Sequence, residues 1–234
     1  MLQKKMGLLV CDDVYKDYRS QCPDFLQMFS EAFPAIEFVP YNLHRGEFPD
    51  SLDHLPGYMM TGSRFSAYDQ DEWIIRSKQL IRDIQDAGLL FVGVCFGHQM
   101  MAEALGGEVL RAPVGWSVGV QSFDIINHKN WIGKGNTTFQ VQMMCQDQVH
   151  KLPPGAEIIA FRPECPVGIM QLGDKMLGIQ GHPEFPNDYA IALIQKRRKK
   201  IGIPKADKAL ANLYNHSSLQ SVKDLIYRFI YFSS

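Results

Sequence analysis

Residues Leu89-Leu90-Phe91-Val92-Gly93-Val94 form an unbroken apolar stretch that runs into Cys95-Phe96-Gly97 and then into residues of helical character. A strand with no polar alternation must be covered on both faces. Such strands belong to sheets with helices packed on either side, and this segment therefore constrains the fold more than any other. The rest of the N-terminal half agrees with it. Residues 7–11 read as a buried strand stopped by Asp12 and Asp13, 36–39 as a second closed by Pro40, and 57–61 as a third. Residues 24–33 place Phe25, Leu26, Met28, Phe29 and Ala32 at helical spacing. Residues 71–87 do the same with Trp73, Ile74, Ser77, Leu80, Ile81 and Ile84, and 96–105 predict a further helix ended by Gly106-Gly107.

Strands alternating with helices predict an α/β fold: a doubly wound, mostly parallel central sheet flanked by helices. Between residues 108 and 179 short apolar runs alternate with turn residues, which predicts a small antiparallel or mixed addition. Residues 187–202, 206–214 and 219–232 read as helices. The expected organisation is one domain over 1–234, with its core at about 6–186 and a C-terminal helical appendage at about 187–234.

Bulk properties narrow the class. The 234 residues carry a net charge of −1, which lacks the basic excess of a nucleic-acid binder. The run Lys196-Arg197-Arg198-Lys199-Lys200 reads as a solvated helix end, because five adjacent residues spread over every face of a helix. No apolar stretch approaches the roughly 18 residues of a membrane span. The apolar run after the basic N-terminus is cut short by Asp12-Asp13, unlike a signal peptide. Five cysteines without a Cys-x-x-Cys pair suggest a reducing compartment and no metal site, so a cytoplasmic location is expected.

Two segments carry chemistry. Gly93-Val94-Cys95-Phe96-Gly97 is a strand–turn–helix elbow with cysteine at its apex. The turn exposes the sulfur, the helix dipole favours a thiolate, and the Phe96 N–H points to where an oxyanion would form. Taken alone, Cys95 reads more readily as a buried core cysteine, a reading that the flanking glycines weaken. The second segment, Leu177-Gly178-Ile179-Gln180-Gly181-His182-Pro183-Glu184, is again a buried strand that stops at a glycine. His182 and Glu184, two apart on extended chain, point the same way, so the carboxylate can orient the imidazole. The two segments together favour a nucleophile.

Gly93-Val94-Cys95-Phe96-Gly97-His98-Gln99 with Gly181-His182-Pro183-Glu184 resembles the class I glutamine amidotransferase family. The resemblance implies that family's flavodoxin-like fold, with Cys95 as nucleophile, His182 as base and acid, and Glu184 orienting it. It also implies a glutamine or other γ-glutamyl small molecule as substrate. The Ser63 and Phe96 N–H groups would form the oxyanion hole. Gly62, Gln99 and Cys145 would line the substrate site. Arg64 stands where the family usually has proline, and Cys145 where it usually has histidine. His98 is read as structural, since its helical position turns it from Cys95.

The chemistry so implied is γ-glutamyl amide hydrolysis through a thioester, needing no metal or organic cofactor. The chain has no P-loop or dinucleotide fingerprint. Either a separate synthetase subunit uses the ammonia, or the enzyme works alone. Gly46-Glu47-Phe48-Pro49-Asp50 and Tyr68-Asp69-Gln70-Asp71-Glu72-Trp73-Ile74 look like a stand-alone branch similar to γ-glutamyl peptidases. A catalytically silent binding subunit is the alternative of another class, and the presence of both Cys95 and His182 argues against it.

Overall fold

The structure, a computed structural model, describes residues 4–18, 22–214 and 220–233. Its main sheet has nine strands. One half is parallel: β1 (Lys4–Val10) lies between β2 (Ile36–Asn42) and β3 (Gly57–Met60), followed by β4 (Leu90–Val94) and β11 (Met176–Ile179). Alternate residues of these strands enter two separate cores. Leu8, Val10, Val92 and Val94 meet α1 (Phe25–Ala32) and the C-terminal helices on one face. Leu9, Tyr58 and Phe91 meet α2 (Glu72–Asp86) and α3 (Phe96–Ala104) on the other. This division is the physical content of double winding: period-two side chains on continuous apolar strands must be covered twice.

The other half continues the same sheet. After β11 come β10 (Cys165–Leu172), β9 (Ala156–Arg162), β6 (Ser117–Ile125) and β7 (Thr138–Cys145), all paired antiparallel. A separate two-stranded ribbon joins β5 (Glu108–Arg111) to β8 (Asp147–Lys151). The sequence does not predict this ribbon, because β5 buries only Val109 and shows no periodicity. Pro40 is a second difference. It does not close its strand, which continues to Asn42. β2 is the edge of the sheet, where a proline need not donate to a ladder.

The C-terminal helices are α4 (Asn187–Ile201), α5 (Ile203–Tyr214) and α6 (Gln220–Phe232); Leu219, expected to begin the last one, lies outside the described residues. Gly202, at φ 94°, ends α4 and donates to the Arg198 carbonyl at 3.0 Å. α5 packs on β6, where Asn212 Nδ2 donates to the Val120 carbonyl at 2.7 Å. α6 sets Phe229 edge-on to Trp131, with ring centroids 5.5 Å apart. Among the described residues no helix is long and apolar enough to cross a membrane.

α3 sits unusually close to the sheet, and two glycines permit it. A Cβ on Gly97 would lie 2.6 Å from the Met60 carbonyl oxygen, and one on Gly93 would run into the Gly97 backbone. Both obstacles are backbone and cannot rotate away. Gly97→Ala is therefore expected to cost about 1–3 kcal/mol, as overpacking does. Equilibrium urea unfolding should show a lower midpoint with an unchanged slope. An unchanged midpoint would mean that α3 does not seat this closely.

Candidate active site

Cys95 is the first residue beyond β4 and the N-cap of α3, with φ 51° and ψ −97°. It is the only non-glycine residue with positive φ among those described. Strain of this kind costs of order 1–3 kcal/mol and persists only where surrounding structure holds it. Here the Cys95 N–H donates to the Ile179 carbonyl at 2.8 Å, and its carbonyl accepts from Gln99 N at 3.0 Å. The turn leaves the side chain at the carboxyl edge of the sheet, over the positive end of α3. Phe96, as the first residue of the helix, has no intrahelical acceptor for its N–H.

β11 lies beside β4 in parallel, with Ile179 opposite Val94. The two turns therefore leave the sheet as neighbours. His182 N donates to the Gln142 carbonyl of β7 at 2.7 Å, which anchors the chain just beyond β11. His182 Nδ1 meets Glu184 Oε1 at 2.8 Å, both side chains being buried. The Cys95 side chain comes to the same place, since a Cβ on Gly62 would lie within 4 Å of both the His182 ring and Cys95 Cβ. Burial opposes a charge on His182, but the Cys95 sulfur and the Glu184 carboxylate outweigh it, and its pKa is pushed up to about 10. Phe185 stacks on the ring at 3.8 Å between centroids, and Tyr189 packs edge-on behind Phe185. The sequence assigned Phe185 no role; an aromatic residue three positions after a candidate histidine was the only signal.

The loop after β3 brings Gly62 and Ser63 to this point. A Cβ on Gly62 would lie 2.6 Å from His182 Cε1, so glycine is required for the approach. Ser63 Oγ donates to the Cys11 carbonyl at 3.0 Å, and Cys11 N donates to Thr61 Oγ1 at 3.0 Å. Arg64 fills the usual proline position by a different means. Its N–H and Nε both reach Asp12 Oδ2, at 2.9 and 2.8 Å, and its Nη2 donates to the Asp13 carbonyl at 2.6 Å. Trp73 lies between Phe65 of this loop and Phe96 of the elbow, at 5.4 and 5.8 Å.

Gln99 is buried at the cavity floor and donates to the Asp147 carbonyl at 2.7 Å and to Gln180 Oε1 at 3.3 Å. Gln180, fully buried, turns its amide N–H to the Cys95 sulfur at 3.7 Å. Sequence reasoning passed over it, since it sits in the strand-like run before Gly181. Cys145 lines the cavity. Burial, reinforced by the Cys95 sulfur, pushes its thiol well above the usual range, so it stays protonated and does not compete as a nucleophile. His98 is buried against Gly178, away from the cavity, and burial lowers its pKa to about 4.

A cavity of about 520 Å³ opens above Cys95. Its lining includes Ser63, Gln99, Met144, Cys145, Asp147 and the outer end of α4. Four residues of the basic run of α4 are exposed, as a solvated helix end requires, and Arg197 alone is half-buried. Arg198 pairs with Asp207 outside, but Lys196, Arg197 and Lys200 share the face turned to the cavity. Lys200 neighbours Lys196 at i,i+4 spacing and Arg197 at i,i+3 spacing, so it joins the two on that face.

A doubly wound sheet with a cysteine elbow beside a His–carboxylate pair at its strand ends defines the class of α/β protein to which this chain belongs. Its family follows from comparison. The family model described as glutamine amidotransferase class-I matches residues 60–194, and the chain belongs to that family. It is 32% identical to gamma-glutamyl peptidase 5 of Arabidopsis thaliana, over 91% of this chain and 89% of that one. It is 26% identical to a glutamine-hydrolysing GMP synthase of Aeropyrum pernix over 77% of this chain, which spans a third of that longer protein. The fold is similar to a glutamine amidotransferase of Thermotoga maritima, with a TM-score of 0.77, 20% identity and 97% of each chain covered.

The backbone strain at Cys95 makes a stability prediction that runs against habit. Glycine usually destabilises relative to alanine, but at positive φ the order inverts. Cys95→Gly should be more stable than Cys95→Ala by about 1 kcal/mol in urea unfolding. The ordinary order would mean that the elbow relaxes when the sulfur is removed.

Proposed function

We propose that this protein hydrolyses γ-glutamyl amides, with Cys95, His182 and Glu184 as its catalytic triad. The observation that carries this reading is one buried imidazole, held by Glu184 through Nδ1, that comes to the same point beside Gly62 as the Cys95 side chain. The Cys95 thiolate attacks the γ-carbonyl carbon. The Ser63 and Phe96 N–H groups receive the negative charge that develops on the carbonyl oxygen. As the C–N bond breaks, imidazolium His182 gives its proton to the departing amine. A γ-glutamyl thioester remains on Cys95. Neutral His182 then takes a proton from water, which attacks the thioester carbonyl, and glutamate leaves as the C–S bond breaks. Gln180 and Gln99 support the sulfur and the glutamyl group.

The departing amine divides two readings. Ammonia would be used by a synthetase, as the GMP synthase relatives suggest. A free-standing peptidase is favoured by the match to gamma-glutamyl peptidase 5, which spans nearly the whole of both chains, and by a cavity larger than glutamine needs.

The purified protein should release glutamate from γ-glutamyl donors, and Cys95→Ala should lower the rate by about 10⁴ or more. Release that is absent, or independent of Cys95, would overturn the reading. The pH profile tests the imidazole. Because its pKa is raised, His182 keeps the proton the leaving amine needs through neutrality and loses it near about 10. The alkaline limb of kcat/KM should fall there. Glu184→Gln removes a stabilising negative charge, so the limb should move toward neutrality. Its kcat at pH 7 should fall by about 10² or more, as mispositioned triads do. An unmoved limb would exclude Glu184 as the partner.

A further inference from the structure

The loop after β3 pairs its backbone donors unevenly. Thr61 N–H reaches the Leu9 carbonyl at 3.1 Å, and Arg64 N–H reaches the Asp12 carboxylate at 2.9 Å. Phe65 N–H reaches the Ser63 hydroxyl at 3.3 Å, and Ser66 N–H the Asp69 carboxylate at 2.9 Å. Among the described residues, the N–H groups of Gly62 and Ser63 meet no acceptor. Gly62 is the residue that approaches His182 and Cys95, and Ser63 lines the cavity. Backbone donors of a folded chain are normally paired, so two free ones in sequence depend on neighbours that keep the loop from turning to pair them.

Those neighbours come from the end of β1, the parallel neighbour of β3. The Ser63 hydroxyl donates to the Cys11 carbonyl at 3.0 Å, and the next peptide N–H, that of Arg64, is held by Asp12 Oδ2. Ser63 is thereby fixed from two sides, by its side chain and by the peptide that follows it. Asp12 is buried and is itself well anchored. Its Oδ1 accepts Asp13 N–H at 2.7 Å, and its two oxygens accept Arg64 Nε at 2.9 and 2.8 Å. Asp12 does not line the large cavity above Cys95. Its carboxylate is directed at the loop.

Resting on the hydrolase reading, we propose that Asp12 is a positioning residue for the oxyanion hole. Through Arg64 it holds the Ser63 N–H where negative charge develops on the γ-carbonyl oxygen. The carboxylate acts through the loop and touches neither the sulfur nor the scissile amide. Its effect belongs to the transition state, because the carbonyl oxygen of a bound amide carries less charge than that of the tetrahedral species. Asp12 and Arg64 therefore act as one unit.

The test uses glutamine and γ-glutamylglycine, each beside the analogue in which sulfur replaces the γ-carbonyl oxygen. Sulfur is the weaker hydrogen-bond acceptor, so a formed oxyanion hole shows as a preference for the oxygen donor. In Asp12→Ala, kcat for the oxygen donors should fall by about tenfold to hundredfold, short of the loss of an oxyanion donor outright. KM should be nearly unchanged, and the oxygen-over-sulfur ratio of kcat/KM should shrink by a similar factor. Alkylation of Cys95 by iodoacetamide should keep its wild-type rate. Asp12→Asn keeps an oxygen for the Arg64 N–H but no charge for the guanidinium, and should show the same shift in smaller measure. A ratio that stays at its wild-type value in both variants would overturn the inference and leave the hydrolase reading standing, whatever happens to the absolute rates. Arg64→Pro removes both groups that the carboxylate holds. In that background Asp12→Ala should add little, as coupled residues do. A further loss of about tenfold or more would overturn the route through Arg64. A wild-type chain that turns over none of the oxygen donors would overturn the hydrolase reading, and the inference with it.

Discussion

The parallel pairing of β4 with β11 is the contact on which the site depends. Parallel neighbours end at the same edge of a sheet, so the cysteine turn on one and the histidine turn on the other arrive side by side. The register makes this specific: Ile179 lies opposite Val94, and the Ile179 carbonyl accepts the Cys95 N–H. A slip of one residue would reverse every side chain on β4 between the two cores. The apolar load on both faces of that strand, Val92 and Val94 on one side and Phe91 on the other, forbids it. Core packing on both sides of the sheet thus fixes a distance at its edge.

The antiparallel half of the sheet takes part in the same construction. β7 supplies the Gln142 carbonyl that holds His182 N, and Gly181 is needed because Val141 leaves no room for a Cβ there. It also supplies Met144 and Cys145 to the cavity floor. The imidazole is therefore located by backbone from β11 and β7, by Glu184 in its plane and by Phe185 on its face. Each constraint acts on a different degree of freedom of one ring.

The elbow and the His-x-Glu pair were legible in the sequence because their physics is local. Glycines flank a cysteine where α3 must approach the sheet, and two residues on extended chain share a side. The double winding was legible for the same reason, since continuous apolar strands can be satisfied in few ways. What escaped depended on distant partners. Pro40 is harmless only because β2 is an edge strand. Gln180 looks like any strand residue until Cys95 is set beside it by the pairing of β4 with β11. Arg197 reads as solvated like the rest of its basic run until the cavity is seen beside it.

Arg64 illustrates how one geometry can be held by different physics. Proline stiffens a turn through its ring, whatever surrounds it. Arg64 stiffens this one through Asp12, whose carboxylate accepts both its backbone N–H and its guanidinium, and through the Asp13 carbonyl. Asp12 and Asp13 lie just beyond β1, so the loop bearing Ser63 is referenced to the strand next to its own. Ser63 repeats the connection through the Cys11 carbonyl. A ring fixes only its own residue, whereas this clamp ties the Ser63 loop to the carboxyl edge of the sheet from which Cys95 also emerges. The arginine side chain then rests on the Tyr15 ring at 4.2 Å, the ring that Arg197 also contacts. Arg64 thereby joins the support of the Ser63 loop to the cationic wall of the cavity, so that the two are built from one connected set of side chains.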